Sequence, residues 1–129
     1  MSDYYTWMRD CREALKGTGQ QVTKEVAMRG MSADQKRKAS GKNFMTDDVV
    51  QWRSLAGGNL RVEISYAFFC GKPLWGLTVF CVGDLAMDAP EWDHALSDCY
   101  GDIASLAARV AELDKGGRDR IAALAEQAQ

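Results

Sequence analysis

The sequence holds little of what reaction chemistry usually leaves behind. It has a single histidine, His94, and its four cysteines, Cys11, Cys70, Cys81 and Cys99, form no Cys-x-x-Cys pair. The spacing of a zinc site is therefore missing, and no metal or other cofactor is expected. His94 and Cys99 are five residues apart and do not share a helical line. A pairing of Cys70 or Cys81 with His94 as nucleophile and base would have to arise through the fold, and apolar flanks would keep both thiols inert. There is no Gly-x-Ser-x-Gly elbow. In Lys16-Gly17-Thr18-Gly19 the lysine precedes the glycines and no strand leads in, so it reads as a helix stop rather than a phosphate loop. No stretch approaches the ~20 apolar residues of a membrane span. The start, with Asp3 and no apolar core, is not a secretory signal. A cytoplasmic location follows, in which the four thiols stay reduced and buried.

What is present fits one domain over residues 1–129. Of these residues 47% are hydrophobic and 26% charged, which excludes disordered and collagenous chains. Residues 3–15 read as an amphipathic helix, with Tyr4, Trp7, Met8, Cys11 and Leu15 on one stripe and Ser2 as its cap. A weak helix is expected over 20–29, and the capping-box pattern Ser32-Ala33-Asp34-Gln35 predicts a further turn or two over 33–39.

The middle third changes period. Val49–Leu55, Leu60–Cys70 and Leu74–Val82 read as three strands, separated by Ala56-Gly57-Gly58-Asn59 and by Gly71-Lys72-Pro73. If Gly71-Lys72 closes the second hairpin, Cys70 faces Pro73 and Cys81 faces Val62. The third run is apolar on both faces, so it is either central or sealed by another surface. As an edge, the 74–82 strand would support a homodimer or capture a partner strand.

After Pro90, the residues Trp92, Leu96, Cys99, Ile103, Leu106, Val110 and Leu113 fall at alternating spacings of four and three. This predicts a helix over 91–114, broken at Gly116-Gly117 and followed by a short closing helix. The fold class is α+β: a three-stranded antiparallel meander packed by N-terminal and C-terminal helices.

Charge is segregated. Residues 16–42 carry seven basic side chains, among them Arg29, Lys36, Arg37, Lys38 and Lys42, against two acids, a net of +5. Residues 84–102 carry six acids, including Asp84 and Asp88, and no Lys or Arg. In a helix Asp84/Asp88 and Asp98/Asp102 would be like-charge pairs four apart, which folding alone does not favour. The basic segment is the least core-like part of the chain and the one expected to be mobile. Trp75, with Arg53 and Arg61 on the sheet, supplies the aromatic and arginine composition that interfaces favour.

Compact size, segregated charge and missing reaction motifs together resemble small accessory proteins of phages and mobile elements, among them anti-CRISPR inhibitors. The likeness is one of type and rests on no shared motif. It implies stoichiometric, non-enzymatic binding to a protein or ribonucleoprotein complex. The alternatives are a nucleic-acid-binding accessory protein that uses the basic segment, and a small enzyme without a motif.

Overall fold

The computed structural model describes residues 4–39, 48–88 and 96–128. Its elements run in the order α1 (Tyr4–Ala14), β1 (Gln20–Val22), α2 (Lys24–Met28), α3 (Ala33–Lys38), β2 (Asp48–Leu55), a 3-10 turn (Ala56–Gly58), β3 (Leu60–Phe69), β4 (Lys72–Cys81), α4 (Gly83–Asp88), β5 (Leu96–Tyr100) and α5 (Ile103–Gln127). The strands form one antiparallel sheet in the order β1-β2-β3-β4-β5. The fold is α+β, and the expected meander is its central three strands. A strand on each flank makes the sheet five-stranded.

Alternation along β3 sorts the two faces. Leu60, Val62, Ile64 and Tyr66 are buried in one cluster with Trp75, Leu77 and Val79 of β4, Cys11 of α1, Leu15 just past its end, and Leu106 and Val110 of α5. On the opposite face, Trp52 and Phe80 join Val82 and meet Ala27, Met31 and Ala39 of the α2–α3 region. Helical segments therefore cover both faces. This accounts for the doubly apolar β4, which is interior and pairs with β3 on one side and β5 on the other. The homodimer expected through a free 74–82 edge loses its basis, because β5 occupies that edge over Trp75–Val79.

The β3–β4 hairpin turns one residue earlier than expected. Its central residues are Cys70 and Gly71, with φ of 54° and 77°, and Phe69 pairs with Lys72. A two-residue type I′ turn needs positive φ at both positions. Placing it at Cys70-Gly71 leaves Lys72 and Pro73 in extended backbone. Phe68 then faces Pro73, and Leu60 faces Cys81.

The C-terminal third departs most from expectation. Leu96 and Cys99 lie on β5, not on a helix, and Trp92 and Pro90 lie outside the described residues. Asp102 caps α5: its Oδ1 accepts the Ser105 N–H at 2.8 Å. The seam is helical only from Ile103 onward. Nor do Gly116 and Gly117 break it; α5 runs through both for 25 residues. Two interior glycines cost about 1 kcal/mol each against alanine, and the good helix formers around them absorb that. Gly117 is also required by packing. A Cβ there would lie 2.7 Å from the Ala56 Cβ and 3.0 Å from Leu60 Cδ1. The expected helix over 20–29 is divided, with 20–22 pairing as β1 against β2 and only α2 helical.

Candidate functional site

Helices as short as α2 and α3 do not stand alone in water, and tertiary anchors hold these two. Ala27, Met31, Gln35 and Ala39 are all buried, every fourth residue. Ser32 caps α3 by the expected capping box. Its Oγ accepts the Gln35 N–H at 3.1 Å, and Gln35 Oε1 accepts the Ser32 N–H at 2.9 Å. The same Gln35 side chain then donates from Nε2 to the Cys81 carbonyl at 2.6 Å, tying α3 to the end of β4. One buried glutamine thus caps a helix and docks it. Residues 24–39 are fixed to the sheet.

That docking decides where the charges go. With 27, 31, 35 and 39 turned inward, Lys24, Arg29, Lys36, Arg37 and Lys38 are all exposed, as are Glu25 and Asp34. Five bases against two acids leave this layer at +3, on the sheet face opposite α1 and α5. The pair between Arg37 and Asp34 lies wholly at the surface and is worth little. Lys42 lies outside the described residues. So the structure brings five of the expected basic residues onto one docked layer.

Arg53, Arg61 and Trp75 are not there. Arg53 is buried and braces the end of α1. Its Nη2 donates to the Leu15 carbonyl at 2.8 Å, Nε to Thr18 at 2.6 Å and Nη1 to Gln51 Oε1 at 3.0 Å. Burial lowers its pKa below that of a free guanidinium, partly offset by the Cys11 thiol. Arg61 donates to the carbonyls of Gly58 and Arg29, joining the 3-10 turn to the end of α2. Trp75 is 4% exposed and meets Tyr66 edge-on, with centroids 4.6 Å apart, while Tyr66 stacks on Trp7 at 3.5 Å. It is a core residue. Trp7 of α1 completes a row of three aromatics on the Trp75 face of β4.

The acidic stretch is also divided. Asp84 is exposed in the first turn of α4 and Asp98 on β5. Asp102 is spent on the α5 cap. Asp88 closes α4, and its side chain, like His94, lies outside the description. The helical like-charge pairing of Asp98 with Asp102 does not exist, because a strand end and a cap separate them. Of the cysteines, Cys11 and Cys81 are buried, whereas Cys70 and Cys99 are exposed, contrary to expectation. All four are free thiols. Burial pushes the Cys11 thiol up to about 12, against the lowering influence of Arg53. Among the described residues no group of three His, Cys, Asp or Glu side chains is placed to hold a metal ion.

Two clefts flank α5, and sequence reading pointed to neither. A cleft of about 420 Å³ separates α5 from β3 and β4, with Leu60, Val79, Leu113 and Gly116 in its lining. The larger, about 530 Å³, lies where the α1–β1 loop, the 3-10 turn and α5 converge. Gly17, Gly19, Ser54, Gly57, Asp114 and Arg118 line it. Asp114 is buried and Arg118 exposed, and the two are paired. The signal that was available is the pair of glycine loops, 17–19 and 57–58, which read only as punctuation. No family model matches the chain, and neither curated proteins nor solved structures yield a match to it.

Proposed function

We propose that the chain is a stoichiometric binding protein that presents the basic α2–α3 layer to an acidic surface of a macromolecular partner. One observation carries this reading. A regular line of buried anchors, Ala27, Met31, Gln35 and Ala39, fixes two short helices and the turn between them so that all five basic side chains of the layer face solvent. Fixed charge of one sign steers association and selects a complementary partner, and an ordered layer loses less entropy on binding than a flexible tail.

The buried polar residues Arg53, Gln35 and Asp114 are bonded to backbone of other elements. Their chemistry is committed to holding the layers together. The partner class is a protein, alone or within a ribonucleoprotein complex. Tyr5, the exposed large apolar side chain among the described residues, is on α1 and not in the basic layer, so among the described residues no exposed aromatic is placed there for a base to stack on. Inhibition of a host machine in the manner of phage accessory proteins, in the cytoplasm, is the setting this reading proposes. No helix among the described residues is long and apolar enough to cross a membrane.

The test is capture from host extract by the wild type and by the triple variant Lys36→Glu, Arg37→Glu, Lys38→Glu, with melting temperatures measured for both. Loss of one captured protein at an unchanged melting temperature supports the reading. Equal capture by both forms removes the basic layer from it. Retention on a generic phosphate matrix with steep loss in salt would instead indicate nucleic acid.

A further inference from the structure

The larger cleft beside α5 is built at a cost to the fold. Ala56, at its wall, has φ of 51°, a left-handed conformation that is unfavourable for a non-glycine residue. Asp114 and Asn59 hold it there, one accepting from its N–H at 2.9 Å and the other donating to its carbonyl at 3.1 Å. Gly117, a poor helix residue, is what lets α5 approach Ala56 this closely. The result is to bring Asp114 and Arg118, one turn apart, against two glycine loops.

One donor group there has unused capacity. Asp114 Oδ2 accepts one hydrogen bond from Arg118 Nη2, which orients the guanidinium and leaves its other N–H groups uncommitted among the described residues. The Arg118 side chain is 65% exposed. Ser54 and Gln20, cross-strand partners, also border the cleft. Asp114 is the cleft's sole acid among its lining residues, and both of its oxygens are occupied. The Gly17, Gly57 and Gly58 positions border open space, so a ligand can come close to backbone there.

We propose that this cleft binds a small molecule through an oxyanion, a carboxylate or a phosphate, seated on the Arg118 guanidinium. A planar fork of N–H groups held by a carboxylate suits such recognition. Asp114 acts as a positioning residue, since its oxygens are turned to Arg118 and Ala56. The inference is independent of the basic layer and of any macromolecular partner.

Separate titrations of ¹⁵N-labelled protein with inorganic phosphate and with malonate, at constant ionic strength, test it. Saturable shifts of the Gly17, Gly57 and Gly58 amides and of Arg118 Nε–H are expected with at least one probe. The probe that saturates distinguishes phosphate-bearing from carboxylate ligands. In Arg118→Gln, whose side chain is exposed, affinity should fall at least about tenfold, the loss of one charge-assisted contact, with the dispersion of the spectrum retained. Three results overturn the proposal: shifts that stay linear for both probes, saturation undiminished in Arg118→Gln, or saturation confined to Lys36–Lys38.

Discussion

The N–H of Ala56 donates to Oδ1 of Asp114 at 2.9 Å across 58 residues of sequence. That one bond joins the turn between β2 and β3 to the middle of α5, and it satisfies a buried donor that the left-handed backbone turns away from the sheet. Replacing Asp114 by alanine leaves the N–H buried without an acceptor and Arg118 without its partner. The expected cost is about 2–3 kcal/mol, read from the urea midpoint. Asp114→Asn keeps an acceptor for the amide and should lose clearly less. An alanine variant as stable as wild type would show that water reaches Ala56.

Arg53 was a candidate contact residue by composition, and its environment now predicts the opposite phenotype. Three donors serve the Leu15 and Thr18 carbonyls and the Gln51 side chain. Arg53→Met removes the side-chain donor from the Thr18 carbonyl and from the Leu15 carbonyl, which still accepts the Thr18 N–H, at about 2–4 kcal/mol for the network. Arg53→Lys recovers only part, since an ammonium cannot span the fork. Both variants should bind any partner normally in conditions where they remain folded. Weakened capture at full stability would return Arg53 to the contact surface.

The adjacent glycines of α5 should respond to alanine with opposite signs. At Gly116 a Cβ meets nothing within 4 Å, so alanine adds only helix propensity, about 0.5–1 kcal/mol of stabilisation. At Gly117 the same Cβ lands on Ala56 and Leu60. The overpacking should destabilise by about 1–3 kcal/mol. Thermal melts of the two single variants suffice. Stabilisation by both would mean that α5 stands further from the 3-10 turn.

Much of the frame was legible from residue patterns, and the failures have identifiable causes. The strict alternation of Leu60–Phe68 located the central strand, and Ser32-Ala-Asp-Gln35 announced its capping box. The heptad from Trp92 misled because Leu96 and Cys99 keep seam spacing while lying on β5. Asp102, which reads equally as one more acid in a run, was the boundary signal. Gly116-Gly117 looked like a stop because propensity is local, whereas the reason for Gly117 lies at Ala56. The buried line 27, 31, 35, 39 hid behind a polar member, Gln35, whose value appears only once Cys81 is beside it. Arg53 and Asp114 were unreadable for the same reason: a buried charged residue is defined by carbonyls and amides far away in sequence.

Cys11 gives the fold a pH dependence at the alkaline end. Its thiol titrates near 9.0 when unfolded and is pushed up to about 12 by burial. Below pH 9 both states hold the proton, and the contribution is fully present. Above it, the unfolded chain loses the proton while the folded chain keeps it, so stability falls as pH rises toward 12. The limiting slope is about 1.4 kcal/mol per pH unit. The raised values of Tyr66 and Tyr100, both from burial first, act in the same direction but start from 10.0. Denaturation of wild type and Cys11→Ala should therefore differ in one window. The alanine variant starts less stable, from the lost packing at a fully buried site, and its curve stays flatter between pH 9 and 10. Parallel curves through that window would mean that the folded thiol ionises like a free one, and that Arg53 beside it outweighs the loss of water.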